Sequence, residues 1–314
     1  MSRASESVKM IYFIVNPAAG SGKAAKAAPV IEETARSRGA TYAMLYTEAP
    51  GDTKRIGELI DWARAKSIIC VGGDGTIQEY TSLVAGRDVA FGLIPVGSAN
   101  DLLYSLPSGE GAADREGASR LRSFDDKVRF YTEKAINRKT ILIDAVRVNE
   151  ERCFLNIGGT GMDIQILKDA IPLKRRFGGG AYFLSLIKNA VTYEAEEMTL
   201  TIDGQSETRK YCLLAFCNGA YYGGHMRVAP PALINDGLIT ICKVARVPAL
   251  KMMAIFPLVK PGWHKGFREV SFVNGKSVKL EFEGRRTINF DGNLWDYESP
   301  VEFKLLKDAV RFIV

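Results

Sequence analysis

The sequence predicts an α/β domain with a parallel sheet, followed by a mostly antiparallel β domain. Three observations carry this. The chain has 314 residues, more than the ~100–200 of a usual domain. Through the first hundred or so residues, short apolar runs alternate with helical stretches, the pattern of β-α repetition. Past about residue 140 strand-like runs dominate and few stretches look helical.

The elements follow in order. Ile11–Asn16 reads as a strand buried on both faces, and Lys23–Arg38 as a helix stopped at Gly39. Thr41–Thr47, Ser67–Val71 and Phe91–Pro95 read as further strands. Asp52–Ala65, Thr76–Ala85 and Ser98–Leu106 read as the helices between and after them. Pro107–Gly117 has loop composition, and Arg120–Ile136 is helical in pattern. Then come strands at Thr140–Asn149, Arg152–Ile157, Met198–Ile202, Tyr211–Cys217, Leu238–Val244, Ser277–Phe282, Thr287–Phe290 and Val301–Leu306. Asp203-Gly204 and Asn274-Gly275 are turn signals. Helices are expected at Asp163–Ala170, Tyr182–Ala190 and Ala249–Val259. The expected division is 1–135 for the α/β domain and 136–299 for the β domain, with about 300–314 returning to the first.

Composition narrows the function class. The charged fraction of 25% and hydrophobic fraction of 46% are ordinary for a globular protein. A net charge of +6 permits an anionic partner without selecting one. Nucleic-acid binding has nothing but that charge behind it. The five cysteines form no CxxC and mostly sit in apolar runs, as core thiols of a reducing compartment do. Two histidines leave little material for a His-rich metal site. No apolar stretch reaches the ~18–20 residues of a spanning helix, so a cytoplasmic protein with at most peripheral membrane contact is expected.

The chemistry concentrates in three loops. Gly72-Gly73-Asp74-Gly75-Thr76 lies between a strand and a helix. Glycines there let the backbone approach a ligand, and a helix N-terminus offers free N–H groups to phosphate. Thr76-x-x-Glu79 fits a capping box that starts the helix at Thr76. Asn16-Pro17-Ala18-Ala19-Gly20-Ser21-Gly22-Lys23 and Pro95-Val96-Gly97-Ser98-Ala99-Asn100-Asp101 follow the first and fourth strands. All three fall at the carboxyl edge of one sheet, where ligands of such sheets bind. A Rossmann dinucleotide fingerprint fits poorly, because no acidic residue stands at the right distance. Walker A fails at Pro17 and Ala24.

Together these loops resemble the catalytic domain of the diacylglycerol kinase family, which includes bacterial soluble lipid kinases and the sphingosine and ceramide kinases. GGDGT alone also fits NAD kinases and phosphofructokinases. The second half separates them. Asn156-Ile157-Gly158-Gly159-Thr160-Gly161-Met162-Asp163 looks like the family's N-x-x-G-x-G-x-D segment. Asn218-Gly219, Gly223-Gly224, Ala229-Pro230, Ala232 and Asp236-Gly237 look like its next one. The resemblance implies the family's two-domain lipid-kinase fold with a Rossmann-like first domain, and phosphorylation of a lipid alcohol, diacylglycerol or a relative, in phospholipid metabolism.

It places ATP against Asn16, Pro17, Ala18, Ala19 and Gly20, Thr47, Gly73, Asp74, Gly75, Thr76, Ile77, Gln78 and Glu79, and Ser98. It implies Mg²⁺ organised by Asp74, Asp101 and Asp144, although Asp144 reads equally well as a strand-end turn cap. It implies a second metal at Leu233, Asp236 and Leu238. The family's Asp-Gly-Glu, whose Glu is proposed as general base, is here Asp291-Gly292-Asn293. An amide cannot take that proton at neutral pH. Asp291 is the expected base, with Asp74 or a chain that binds nucleotide and lipid without turnover as the other readings. On the lipid side, Ala249–Val259 is apolar and flanked by Lys251, Lys260, Trp263, His264 and Lys265. Such a strip suits a membrane interface or a core helix. A homodimer is compatible with all of this.

Overall fold

The computed structural model describes residues 9–107, 117–177 and 180–314, so the expected loop Pro107–Gly117 falls almost wholly outside it. The chain forms two compact units: Met1–Ile143 with Asp308–Val314, and Asp144–Lys307.

In the first unit β1 (Met10–Val15), β2 (Tyr42–Tyr46), β3 (Ala65–Gly72) and β4 (Ala90–Pro95) are parallel, in the order β2-β1-β3-β4. The end of β15 (Val301–Ile313) joins beside β4 through Arg311 and Phe312. From β1 the chain goes to β2 on one side and then crosses to β3 on the other. That reversal opens a crevice at the carboxyl ends of β1 and β3, the usual ligand position in such sheets. The helices are α1 (Ala19–Ser37), α2 (Thr53–Leu59), α3 (Asp74–Val84), α4 (Leu102–Ser105) and α5 (Phe124–Asn137).

Regular α1 starts at Lys23, because Gly20, Ser21 and Gly22 all have positive φ. It buries Ala24, Ala27, Ile31 and Ala35, a stripe at helical spacing, against Phe13, Val15 and Ile69. Ser123 caps α5 by accepting the Asp126 N–H at 3.0 Å. Two expected helices are shorter. α2 ends at Leu59 because Ile60 is extended. The helix expected at 98–106 shrinks to α4, because Asn100 sits at φ 56° and breaks the run before Asp101.

The second unit is antiparallel. β14 (Asn293–Glu298), β13 (Arg285–Phe290), β7 (Ile157–Gly161), β9 (Gln205–Cys217), β8 (Glu196–Ile202), β12 (Ser277–Glu281) and the start of β15 lie in that order. β10 (Ile239–Ala245) and β11 (Val270–Gly275) branch from β9, and β5 (Thr140–Val148) pairs with β6 (Arg152–Phe154). Helices α6 (Met162–Phe177), α7 (Gly180–Thr192) and α8 (Ala249–Ile255) belong here. The core centres on Phe154, Leu214, Phe216, Phe290 and Phe303, with Phe216 stacked on Phe303 at 3.9 Å between centroids. Gly158 must lack a side chain, since a Cβ there would stand 2.9 Å from the Phe290 ring.

Several sequence expectations change, among them the helix expected at Ala249–Val259, which ends at Ile255 and passes into a 3-10 turn. Arg152–Ile157 is two strands, because the chain bends at Leu155-Asn156. Asn274-Gly275 is no turn: both residues pair with β10. β11 and β14 were not expected at all. β14 follows a two-residue hairpin turn at Asp291-Gly292, both with positive φ. That is the Asp-Gly turn chemistry that also joins β8 to β9 at Asp203-Gly204.

Candidate functional site

The loops after β1, β3 and β4 meet in the first unit, and their contacts run through glycines. A Cβ on Gly20 would lie 2.2 Å from the Val96 carbonyl oxygen. One on Gly97 would lie 2.7 Å from the Gly73 Cα and 2.8 Å from the Asn100 Oδ1. The N–H groups of Val96 and Gly97 both donate to the Gly72 carbonyl, at 2.8 and 3.1 Å. Main chain thus packs on main chain, and only glycine permits it. The Thr47 N–H donates to the Val15 carbonyl at 3.0 Å, which ties the end of β2 to the same edge. Ser98 is exposed on the third loop.

The helix behind the Gly-rich loop starts two residues earlier than the capping-box reading placed it. Gly73 is the N-cap, and Asp74 opens the first turn of α3. An acid there faces the positive end of the helix dipole. Thr76 therefore sits inside the helix, where its side chain packs on Gly72. Ile77 is fully buried and Gln78 is 2% exposed. The side chains of these two expected nucleotide residues are in the core, and the Ile77 N–H donates to the Gly73 carbonyl at 3.1 Å. Glu79 is half-buried, and burial raises its carboxyl against a hydrogen bond from the Gly51 N–H.

Asp74 is the hinge of this constellation. Its Oδ1 accepts the Leu102 N–H at 3.1 Å, which fastens the start of α4 to the Gly-rich loop. Burial pushes its carboxyl up, the Leu102 N–H opposes this, and the charge of neighbouring Asp101 pushes it further up. Asn100, missing from the expected site residues, belongs to this group. Its Nδ2 donates to the Gly97 carbonyl at 3.0 Å, while its buried Oδ1 has no hydrogen-bond partner among the described residues. Its place inside the third loop was the sequence signal for it.

These residues fit a nucleotide. Glycine-lined main chain at a switch point leaves room for phosphates. Two adjacent carboxylates and an orphaned amide oxygen suit a hydrated Mg²⁺, which needs few direct protein ligands. Replacing Gly20 by Ala should weaken MgATP binding about tenfold in calorimetry, since the methyl group meets both the Val96 carbonyl and a strained φ of 61°. Unchanged affinity would remove that contact from the site.

The motif residues of the second half form another group, inside the second unit. Asp144 lies mid-strand in β5, fully buried, and its Oδ2 accepts the Gly237 N–H at 2.7 Å. It braces the loop of Leu233, Asp236 and Leu238, rather than capping a strand end. The Leu233 carbonyl accepts the Asp236 N–H at 3.4 Å, and the Asp236 Oδ1 accepts the Leu238 N–H at 2.9 Å. The turn is held by its own bonds. Burial raises the Asp236 carboxyl, and the nearby Asp144 charge adds to this. Asn218 Nδ2 donates to the carbonyls of Asp144 and Leu155, at 2.9 and 2.6 Å.

Asp291, the expected base, has another occupation. Its carboxylate accepts the N–H groups of Leu155, Asn156 and Ile157 at 3.0, 3.2 and 2.7 Å, and the residue is 5% exposed. It stitches the β6–β7 bend to the β13–β14 turn. Asn293 starts β14, paired with Phe290.

An acid that the sequence left without a role is Asp163, half-buried in the first turn of α6 with its Oδ1 turned inward. Its Oδ1 has no hydrogen-bond partner among the described residues, and Gly159 clears space for its Oδ2. Burial pushes its carboxyl up to about 7, against hydrogen bonds from main-chain N–H groups at Ile164 and Asp163. In the unfolded chain it titrates near 3.8. Between those values the folded state holds a proton that the unfolded state has released. Stability therefore falls as pH rises through this window, by up to about 1.4 kcal/mol per pH unit, and levels off above it. Asp163→Asn should remove this contribution, so the variant gains on wild type from about pH 4 to 7 in denaturant titrations. A constant difference across that range would refute the assignment.

Among known proteins, residues 10–129 match the diacylglycerol kinase catalytic domain, and residues 157–314 match the YegS C-terminal NAD kinase beta sandwich-like domain. The "Diacylglycerol kinase" of Mycobacterium tuberculosis is 27% identical over 281 residues, 86% of this chain and 84% of that protein. The "Probable lipid kinase YegS-like" of Chromohalobacter salexigens is 28% identical over 278 residues, with the same coverage. The crystal structure of a Bacillus anthracis protein assigned as a diacylglycerol kinase superposes with a TM-score of 0.76, at 24% identity, covering 100% of this chain and 97% of that one.

Fold and matches define a two-domain phosphotransferase, an α/β domain followed by an antiparallel β domain. The chain belongs to the diacylglycerol kinase family of lipid kinases, with a C-terminal domain of the YegS type.

Proposed function

We propose that the protein transfers the γ-phosphoryl group of MgATP to the hydroxyl of diacylglycerol or a related lipid alcohol. The observation that carries this is the convergence of Gly20, Gly73 and Gly97 beside the Asp74–Asp101 pair. Phosphoryl transfer is mostly positioning and charge neutralisation, and such an edge supplies both. The main chain around these glycines cradles the phosphates. Asp74, Asp101 and the Asn100 Oδ1 would hold Mg²⁺, which when bound would neutralise phosphate oxygens.

Asn293 cannot accept the proton of the lipid hydroxyl, and Asp291 is held by three main-chain donors. Asp74, itself bonded by the main-chain N–H groups of Leu102, Asp101 and Asn100, is the remaining carboxylate of the expected catalytic set. The test is a lipid panel with labelled MgATP and product identification. Transfer to a diacylglycerol, a sphingoid base or phosphatidylglycerol supports the reading, and transfer to none of them defeats it.

A second reading, a nucleotide- and lipid-binding regulator, is favoured by Asn293. It predicts calorimetric MgATP binding with no turnover, and activity gained by Asn293→Glu. An NAD kinase activity would show as NADP formation in the same preparation.

A further inference from the structure

We propose that the arm formed by residues 249–269 is the surface by which this protein docks on an anionic lipid bilayer; this rests on the lipid-kinase reading above and names where the enzyme meets its substrate phase. The sequence left open whether this stretch is core or interface. The structure divides it between the two.

Met252 and Ile255 of α8 are buried in a cluster with Met162 and Val247. The opposite face of the same short helix is apolar as well. Leu250 is 79% exposed and Met253 37% exposed, and Ala254 and Pro257 are exposed with them. Spacings of three, four and seven residues put these on one side of a helical path. After the 3-10 turn Phe256–Leu258, Gly262 takes a left-handed φ of 80° against Pro230 and Arg227. The next turn, Trp263–Gly266, presents Trp263 at 67% exposure while His264 turns inward, its Nε2 2.9 Å from the Val228 carbonyl.

The two ends of the arm are fastened to each other, and to the body through Met162 and through the Ala245 N–H, which donates to the Glu269 carbonyl at 2.9 Å. Lys251 pairs with Glu269 at 2.6 Å, and Phe267 packs against the cluster of Met252 and Ile255. The exposed side chains therefore sit on a held scaffold. A soluble face has no use for Leu250, Met253 and Trp263 together.

Charge selects the occupant. The arm carries Lys251, Lys260, Lys265 and Arg268 against a single acid, Glu269. That acid is taken up by Lys251 and by Arg268, at 2.6 and 3.0 Å. Lys260 and Lys265 are exposed and have no ion pair among the described residues, and Arg246 stands exposed just before the arm. A Trp, exposed aliphatic side chains and lysines without an ion pair within one arm of some twenty residues suit the headgroup layer of an anionic membrane, where apolar groups insert and cations meet lipid phosphate. No helix among the described residues is long and apolar enough to cross a membrane, so the contact is peripheral.

The experiment is co-sedimentation of the full chain with vesicles of phosphatidylcholine, with and without phosphatidylglycerol. Wild type should bind the anionic vesicles preferentially and release with salt. Leu250→Asp with Trp263→Ser should lower that binding at least tenfold. So should Lys260→Glu with Lys265→Glu, which alters only exposed side chains and leaves the core intact. Activity on a short-chain diacylglycerol in detergent micelles should stay at the wild-type level in both. Vesicle binding is read without turnover, so a chain that phosphorylates no lipid would still report on the surface. Wild-type vesicle binding by both variants, or equal binding to neutral vesicles, overturns the proposal. So does a dimer in light scattering that Leu250→Asp converts to monomer, since the face would then belong to a second copy of the chain.

Discussion

Asp74→Asn is expected to lower phosphoryl transfer by on the order of 10³ while leaving the melting temperature unchanged or slightly raised. The two halves of this expectation come from different properties of one side chain. The amide oxygen of Asn can still accept the Leu102 N–H, now 3.1 Å from Asp74 Oδ1, so the Gly-rich loop and α4 stay joined. The carboxyl of Asp74 is pushed up by burial and by Asp101, so its ionised form is disfavoured in the folded state. A neutral group relieves that penalty. What is lost is a negative charge beside the phosphates and a carboxylate able to accept a proton. Steady-state kinetics with a scan of thermal unfolding reads both. A variant within tenfold of wild type would take Asp74 out of the machinery.

Asp291→Ala should damage the fold more than any other single change considered. Three main-chain N–H groups at Leu155, Asn156 and Ile157 would lose their acceptor in a buried place. Each such loss costs about 1–3 kcal/mol, so roughly 3–9 kcal/mol of the stability of the second unit is at stake. That is a large part of what holds an ordinary domain together. Denaturant unfolding followed by the fluorescence of Trp295, on β14, measures it. If Asp291 were instead the base, the same variant would unfold normally and be inactive. The comparison therefore separates bracing from chemistry.

The sequence showed the first unit well, because a parallel sheet buried on both faces leaves continuous apolar runs, and Ile11–Asn16 and Ser67–Val71 are of that kind. The three loops were legible for the same reason: glycines between a strand and a helix have few other uses. The start of α3 was misplaced because Thr76 and Glu79 imitate a cap, while the extended Gly73 and the acid after it decide the boundary. Strand β14 was missed because Asp291-Gly292 was read as a motif, though it is also a hairpin turn. The occupations of Asp144 and Asp291 were not legible at all. Each holds main-chain N–H groups far along the chain, Gly237 for Asp144 and Leu155 to Ile157 for Asp291. No local pattern reports a bond across that distance. Neither does the division of Ala249–Val259 into an inner and an outer face, which depends on what packs beneath it.

The path of β15 has a consequence for how the molecule is made. Val301 to Lys304 pair with β12, and Arg311 and Phe312 pair with β4, whose neighbours were synthesised more than two hundred residues earlier. While the ribosome works through the second unit, the nascent first unit has β4 as a bare margin, with its Phe91 lacking the edge-to-face contact of Phe312. An open strand margin of this sort invites pairing with another chain. Completion of the early unit is thus deferred to residues translated after the later one, and the interval before they emerge is when this polypeptide has most need of a chaperone.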